Sequence, residues 1–333
     1  MSSESFRKKL SENSLKVDSF IDQILKSNNP KVLYDASRHL VMSGGKRLRP
    51  FLTIQTCKAV GGNAEDAIPF AAALEILHNF TLIHDDIMDN DPIRRGSPAV
   101  HIKWGVPTAI AAGDLLFAKV YEAMTIYAPK RINCRKIRKC IEAATKATIE
   151  LCEGQILDIF FPQNNEINEK DYITMVGGKT GSLFRACAEV GAIVGGAKKS
   201  QIKAIGKFSY YAGIAFQIMD DYLGIVSNEK VLGKPVGNDI REGKKTLIII
   251  HALNHSKQKD KQKILSTLGN KDITNNQIQD IVELLKKTGS LDYSLNRIQK
   301  YVKISKKYLF TLERTPARDD LEGLVDYFTN REY

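Results

Sequence analysis

LHNFTLIHDDIMD, residues 77–89, is an apolar run that ends in three carboxylates, Asp85, Asp86 and Asp89. On a helix, Asp85 and Asp89 share one face with Asp86 beside them, and His78 lies two turns earlier on the same side. Close-set carboxylates repel one another unless a cation lies between them, and Mg2+ prefers such oxygen ligands. A solvated helix surface is the alternative, but the apolar lead-in predicts a mostly buried helix.

A second segment, residues 215–224, repeats this pattern with Asp220 and Asp221 after an apolar lead-in. If long helices bring both acidic motifs to one cavity, shared metal ions could hold a polyanion between them. The repetition of the motif favours a metal site over two unrelated acidic surfaces.

The composition sets limits on compartment and partners. The chain has 333 residues, with 49 Lys and Arg against 38 Asp and Glu, a formal net charge of +11. This balance favours a polyanionic ligand or a membrane surface without choosing between them. The five cysteines are scattered and form no CxxC pair, which predicts a reducing, cytoplasmic setting. The N-terminus lacks an apolar signal region, and we expect no membrane-spanning run.

Helical periodicity extends over nearly the whole chain, and almost no strand alternation is visible. We predict helices over residues 5–29, 35–42, 108–128 and 134–160. No internal repeat beyond the acidic motifs and no long linker divides the chain. The sequence therefore predicts an all-α protein with a single domain over residues 1–333.

Several basic segments could bind phosphate. Lys46 and Arg49 flank a predicted helix start, where backbone N–H groups favour an anion. Arg94 and Arg95 follow the first acidic motif, and guanidinium groups match phosphate oxygens. An ordinary basic turn, or local pairing of the arginines with Asp89 or Asp91, is the alternative.

Two glycine-rich segments add further cations. Glycines 177 and 178 should open a helix so that Lys179 and the Thr180 hydroxyl reach the interior. The loop over residues 233–246 should form a lid that brings Lys234 and Lys244 over metal-bound phosphates, with Asp239 as a further acidic group. Kinks and exposed lysines without function are the alternative.

Residues 130–139 contain six basic side chains without interleaved aromatic residues. A nucleic-acid or membrane patch would be expected to add stacking groups, so a solvated helix start is the favoured interpretation. We expect no nucleic-acid partner and at most peripheral membrane contact.

Five motifs in this order resemble those of the trans-isoprenyl diphosphate synthases, or polyprenyl synthetases. They are GGKRLRP (44–50), LIHDDIMDNDPIRRG (82–96), GGKTGSLF (177–184), FQIMDDYLG (216–224) and GKPVGNDIREGKKTL (233–247). The pattern is most similar to archaeal-type geranylgeranyl diphosphate synthases. The resemblance implies an isoprenoid synthase fold, a large helical bundle around a central cavity, and a homodimer. It also implies condensation of isopentenyl diphosphate with an allylic diphosphate, using two or three Mg2+ ions per active site.

The resemblance also assigns roles to residues. The side chains implied for isopentenyl diphosphate are Lys46, Arg49, His78 and Arg95. Those implied for the allylic diphosphate are Arg94, Lys179, Thr180, Gln217, Lys234 and Lys244. The implied metal ligands are Asp85, Asp89 and Asp220, and Asp86, Lys179 and Lys244 join them as catalytic residues.

One position departs from the family pattern. The second acidic motif ends in Gly224, where many relatives have a third aspartate. Asp221 and Asp239 could supply the missing charge. We hypothesise that Asp220 alone is essential in this motif.

Product length should be set below the first acidic motif, by Phe80, Thr81 and Leu77. Phe80 lies five positions before Asp85, which on a helix is roughly 7 Å further down. Thr81 is small and would let a growing chain pass. In the family, this combination resembles geranylgeranyl diphosphate synthases, with farnesyl or farnesylgeranyl products as alternatives. Two rival functions are a class I terpene cyclase and a noncatalytic helical protein that binds nucleic acid.

Overall fold

The computed structural model of the chain describes residues 3–164, 166–226, 237–270 and 272–329. Almost all of its regular structure is helical, so the all-α prediction is confirmed. The strands among the described residues are two short ones, β1 (Ile93–Arg94) and β2 (Ser97–Pro98), which pair antiparallel in the loop after the first acidic motif. Lys234 lies outside the described residues.

Contacts divide the chain into two compact units, and each is described separately. Unit 1 comprises Met1–Lys146, Ala186–Gly206 and Leu309–Leu324; unit 2 comprises Ala147–Arg185, Lys207–Tyr308 and Val325–Tyr333. The predictions of a single domain and of one central cavity stay predictions.

Six helices of unit 1 lie within residues 3–125. They are α1 (Ser3–Ile24), α2 (Lys31–Met42), α3 (Leu48–Ala59), α4 (Ala64–Met88), α5 (Val100–Trp104) and α6 (Val106–Thr125). Helix α4 packs against α1, α3 and α6. It begins at Asn63, whose side chain accepts a hydrogen bond from the Glu65 N–H as a helix cap. Its small residues 71–73 are fully buried, which lets neighbouring helices approach closely.

The predicted helix ends differ in this unit. Helix α1 ends at Ile24 instead of residue 29, and α2 begins at Lys31 instead of residue 35. The Asn28-Asn29-Pro30 segment explains the difference, because the residue before proline disfavours the α conformation and asparagine favours turns. Proline then starts α2 readily, since its missing N–H has no intrahelical partner in any case.

The remaining helices follow from residue 134 onward, and the first of them was predicted most accurately. Helix α7 runs from Cys134 to Phe160, as predicted. It is followed by a 3-10 turn (Phe161–Gln163), α8 (Glu169–Val176), a wide π turn (Gly177–Gly181), α9 (Ser182–Val194), α10 (Lys199–Val226), α11 (Asn238–Arg241), α12 (Leu247–His255), α13 (Gln258–Thr267), α14 (Asn275–Lys287), α15 (Ser290–Leu309) and α16 (Pro316–Thr329).

In unit 2, an aliphatic cluster holds the elements that follow the second acidic motif. Ile225 at the end of α10, Ile240 of α11 and Ile248 of α12 are buried together with side chains of α13 and α14. Burial of each such side chain contributes on the order of 1.5–3 kcal/mol. This cluster therefore fixes α11 against the end of α10.

One helix of the described part of the chain, α4, has the length and hydropathy to cross a membrane. The expectation that no run is long and apolar enough to span a bilayer is therefore wrong. However, 67% of the most apolar window of α4 is buried inside the protein, as in the core helix of a globular protein.

Candidate active site

The first acidic motif occupies the C-terminal end of α4. Asp85 and Asp86 lie in the last turn, and Asp89 caps the helix. This end of a helix carries negative partial charge, so carboxylates placed there are stabilised by a cation. The Asp86 side chain is 1% exposed, whereas that of Asp85 is 18% exposed.

Arg94 of β1 supplies positive charge to this motif. Its Nε donates to Asp86 Oδ1 at 2.7 Å, and its Nη2 lies 3.1 Å from Asp91 Oδ2 and 3.9 Å from Asp85 Oδ2. Burial raises the pKa of Asp86, although Arg94 opposes the shift. Burial alone would lower the pKa of Arg94, but the carboxylates outweigh it and raise this pKa. In this conformation the Arg94 guanidinium binds carboxylates. Its contact with Asp91 agrees with the alternative prediction that the arginines pair locally.

Beneath this motif, the GGKRLRP loop is held by two arginines. Arg47 is buried in a left-handed conformation and donates to Glu75 at 2.8 Å and Asp18 at 2.7 Å. Arg95 donates to the carbonyls of Leu40 and Gly44, and to Asn79 Oδ1 at 3.2 Å. These bonds fix the loop between α2 and α4.

Two predicted ligands of isopentenyl diphosphate, Lys46 and Arg49, belong to the GGKRLRP segment, and a third, His78, lies on α4. Lys46 is exposed, and Arg49 and His78 are partly buried. Burial lowers the pKa of His78 well below its usual value, and the nearby cations Arg49, Arg95, Arg94 and Arg47 lower it further. His78 is therefore neutral at physiological pH. It can donate or accept a hydrogen bond but adds no charge to the cluster.

The predicted chain-length residues differ in exposure. Leu77 is buried in the core, whereas Phe80 and Thr81 remain partly exposed. The Phe80 ring contacts the rings of His84 and Phe117, with centroid distances of 4.8 and 5.1 Å. Phe117 of α6 contacts Tyr121 in turn. A row of aromatic rings thus backs Phe80 within unit 1.

In unit 2, α7 touches the π turn closely enough to place Lys179. A Cβ atom at Gly154 would lie 2.3 Å from the backbone nitrogen of Lys179, and one at Gly178 would lie 2.6 Å from the backbone carbonyl oxygen of Glu150. Only glycine permits this approach. One turn beyond Gly154, Asp158 pairs with Lys179 at 2.5 Å.

A hydrogen-bonded chain joins the π turn, the second acidic motif and α8. The Thr180 hydroxyl donates to Gln217 Oε1 at 2.8 Å, and Gln217 Nε2 donates to Asp221 Oδ1 at 2.9 Å. The buried Tyr172 hydroxyl donates to Asp221 Oδ2 at 2.6 Å. Both carboxylate oxygens of Asp221 therefore accept hydrogen bonds from protein side chains.

The departure at Gly224 has a structural explanation. A Cβ atom at this position would lie only 3.2 Å from Asp239 Oδ2. The Asp239 carboxylate from α11 thus lies beside the backbone where a third aspartate of the motif would begin. The Gly237 N–H, which donates to the Gly224 carbonyl at 3.2 Å, helps to hold α11 there.

Of the two lid lysines predicted to bind phosphate, Lys244 lies within the described residues. It pairs with Glu242 at 2.7 Å. Burial lowers the pKa of Lys244, but Asp239, Glu242 and Asp158 outweigh this effect, so the pKa is raised. Burial, Asp239 and Asp220 raise the pKa of Asp221, against the hydrogen bonds from Tyr172 and Gln217. Lys244 therefore remains charged in an acidic environment.

The chemistry of these side chains fits a hard cation. Within residues 3–164, 166–226, 237–270 and 272–329, no three His, Cys, Asp or Glu side chains are already grouped to hold a metal ion. The predicted ligands nevertheless offer carboxylate oxygens only, which suit Mg2+. Asp86 Oδ2 is buried without a hydrogen-bond partner among the same residues.

Sequence reasoning missed several residues that build these clusters. Glu75 and Asn79 could have been found, because they are polar residues spaced four apart in a largely apolar helix, close to His78. Asp158 lies in the predicted helix 134–160, but no motif in the sequence assigns it a role. Arg47 and Tyr172 gave no signal, because their function depends on contacts with residues distant in the sequence.

The amino-acid sequence is similar to a known family and to characterised proteins. The family model described as polyprenyl synthetase matches residues 30–285. A short chain isoprenyl diphosphate synthase of Methanothermobacter thermautotrophicus is 39% identical over 95% of each chain. A geranylfarnesyl diphosphate synthase of Aeropyrum pernix is 40% identical over 77% of this chain and 80% of its own.

The fold is also similar to solved structures. The crystal structure of geranylgeranyl pyrophosphate synthetase from Pyrococcus horikoshii superposes with a TM-score of 0.93 at 43% identity, covering 99% of both chains. The isoprenoid synthase fold predicted from the motifs is thereby confirmed. Members of this family use a divalent metal ion, Mg2+, and bind isopentenyl and allylic diphosphates. The chain belongs to the polyprenyl synthetase family and is a prenyltransferase.

Proposed function

We propose that this chain is a short-chain prenyltransferase that condenses isopentenyl diphosphate with dimethylallyl, geranyl and farnesyl diphosphates to give mainly geranylgeranyl diphosphate. In this reaction the allylic C–O bond breaks and diphosphate leaves. The isopentenyl double bond attacks the allylic carbon, and a proton is then lost to form the new double bond. Relatives with short-chain and geranylfarnesyl names support this class of product.

The proposed product length rests on the row of aromatic rings behind Phe80. Phe80 contacts Phe117 at 5.1 Å, so its ring is backed by a second aromatic side chain and cannot easily swing away. A rigid floor at this depth favours arrest at four isoprene units. Farnesyl and farnesylgeranyl diphosphates are the alternative products.

We assign four side chains of unit 1 to the isopentenyl diphosphate. Lys46, Arg49 and Arg95 supply positive charge, while neutral His78 supplies a hydrogen bond. Arg94, Lys179, Thr180, Gln217 and Lys244 are proposed for the allylic diphosphate, together with Lys234, which lies outside the described residues. Stabilising the leaving diphosphate is then the main catalytic effect, and no protein nucleophile is required.

Asp85, Asp89 and Asp220 are the proposed ligands of two or three Mg2+ ions, and Asp86 completes the first motif. When bound, Mg2+ withdraws electron density from the leaving diphosphate. Asp239 is proposed to supply the carboxylate that Gly224 lacks, because its Oδ2 lies beside this position. The hypothesis that Asp220 alone is essential in the second motif stays a prediction.

We further propose a cytoplasmic homodimer. All five cysteines are free, which supports a reducing compartment. Exposed Ile149, Ile156 and Phe160 follow one another along α7 at helical spacing, which supports an apolar subunit contact. Light scattering after gel filtration would give the mass of a dimer, and a monomer at micromolar concentration would contradict this part of the proposal.

One incubation tests the proposed reaction. The purified chain is mixed with Mg2+, isopentenyl diphosphate and each allylic primer in turn, and the dephosphorylated products are sized. We expect geranylgeraniol as the main product from every primer. A protein that converts geranylgeranyl diphosphate to a hydrocarbon without isopentenyl diphosphate would instead be a terpene cyclase, and the proposal would be wrong.

A further inference from the structure

Asp221 has an environment unlike that of a metal ligand. One of its oxygens accepts from the Tyr172 hydroxyl at 2.6 Å, and the other accepts from Gln217 Nε2 at 2.9 Å. Tyr172 is fully buried, so its hydroxyl has no water to exchange for this bond. Breaking the bond would leave a buried polar group unpaired, which is costly.

The carboxylate also determines the orientation of its neighbours. Asp221 Oδ1 accepts a hydrogen bond from Gln217 Nε2, so the NH2 group of Gln217 is turned toward Asp221. The Gln217 carbonyl oxygen then faces the π turn, where it accepts from the Thr180 hydroxyl at 2.8 Å. The direction of every bond in the chain thus follows from the acceptor at position 221.

We propose that Tyr172 and Asp221 are positioning residues that fix the side-chain orientations of Gln217 and Thr180. Asp221 serves this purpose and not metal binding, and Tyr172 holds it in place. The inference rests on the proposed function, which assigns Gln217 and Thr180 to the allylic diphosphate. It explains why a tyrosine seven residues before Lys179 is fully buried against the second acidic motif.

The first test is Tyr172→Phe, which keeps the buried ring and removes only the hydroxyl. We expect KM for geranyl diphosphate to rise about tenfold, the effect of one hydrogen bond to a charged group, while KM for isopentenyl diphosphate stays within about twofold. Tyr293→Phe is the matched control, because the Tyr293 hydroxyl also donates to a carboxylate of unit 2, that of Glu169. The control should leave both KM values unchanged.

A double-mutant cycle separates positioning from general loss of stability. If Tyr172 acts through the chain, Tyr172→Phe should add nothing further to KM for geranyl diphosphate in a Thr180→Val background. Additive effects, equal changes in both KM values, or no change in either would overturn the proposal. Should Tyr172→Phe fail to fold, Asp221→Asn should give the same allylic-specific rise, because an amide cannot accept from both donors.

The same variants distinguish this inference from the proposed function. If the wild-type chain does not elongate geranyl diphosphate, the proposed function is wrong. Binding is then measured as the rise in Tm on adding geranyl diphosphate and Mg2+ without isopentenyl diphosphate. A smaller rise for Tyr172→Phe than for Tyr293→Phe would still support positioning, and equal rises would contradict it.

Discussion

The acidic motif on α4 and the acidic motif on α10 share a sequence pattern, yet different side chains surround them. In the first, Asp86 binds the guanidinium of Arg94, and further arginines lower the pKa of His78. In the second, Asp221 binds the neutral donors Tyr172 and Gln217. The first region is therefore rich in cations. The second combines several carboxylates with Lys244, whose pKa they raise.

This difference separates two roles within each aspartate pair. The second aspartate of each pair, Asp86 or Asp221, is held by the protein itself, once by a charge and once by neutral donors. The first aspartate, Asp85 or Asp220, is the one proposed to bind Mg2+. A repeated DD motif thus need not supply two equivalent metal ligands at each occurrence.

The largest expected effect comes from removing the first aspartate of either pair. Asp85→Ala and Asp220→Ala should each lower kcat about 100- to 1000-fold, because the leaving diphosphate loses stabilisation in the transition state. Glu142→Ala on an exposed face of α7 is the control and should have little effect. Steady-state rates at saturating Mg2+ provide the measurement. Near-full turnover of either variant would contradict the proposed metal-binding role of the aspartate that it lacks.

The cation-rich region should also depend strongly on buried Arg47. Its side chain is 2% exposed and that of Glu75 is 3% exposed. Arg47→Met should therefore lower the free energy of unfolding by about 3–5 kcal/mol, because Glu75 loses a buried partner. Arg47→Met with Glu75→Leu should recover most of this loss. Denaturant titrations would measure both, and equal loss in single and double variants would contradict the buried-pair explanation.

The helices and the first motif could be predicted because their signals are local. Helix α7 was predicted to the residue, since helical periodicity continues from Cys134 to Phe160. The end of α1 was missed because a short turn before Pro30 overrides the periodic pattern. Patterns within a few residues thus describe the helices well but locate their ends less accurately.

The surroundings of the motifs could not be predicted, because they come from distant parts of the chain. Tyr172 lies 49 positions from Asp221, and Arg47 lies 28 positions from Glu75. No sequence spacing specifies which polar side chains meet after folding. The motifs therefore indicated the chemistry, whereas the contacts that distinguish Asp86 from Asp221 required the structure.

Gly224 offers a way to make the second motif resemble the family pattern. Gly224→Asp would place a Cβ 3.2 Å from Asp239 Oδ2 and add a carboxylate to an acidic cluster. We expect kcat to fall about tenfold, because two like charges cannot share this site without cost. Gly224→Asn tests bulk without charge, and Gly224→Asp with Asp239→Asn should restore most of the rate. A more active Gly224→Asp single variant would show that Asp239 does not replace the third aspartate.

Phe80→Ser should change the product more than the rate. Removing the ring opens space in front of Phe117, so products with five or more isoprene units should become prominent while kcat stays within a few-fold. Phe117→Ala should give a smaller shift, because Phe80 remains in place. Chromatography of the dephosphorylated products measures both. An unchanged product from Phe80→Ser would show that this aromatic row does not limit the chain.

The smallest effect is a pH dependence that compares histidines in the two regions. Burial and nearby arginines lower the pKa of folded His78 well below the unfolded value of about 6.5, so only the unfolded chain gains this proton as the pH falls. Stability conferred by neutral His78 is thus complete above pH 6.5 and is lost below it, with a slope approaching about 1.4 kcal/mol per pH unit. His78→Gln should remove this slope from unfolding curves measured between pH 7.5 and 5.5. His251→Gln should remove less, because Glu169 opposes the lowering of the His251 pKa by burial and His255. An equal effect of both variants would show that the nearby arginines do not add to the effect of burial on the His78 pKa.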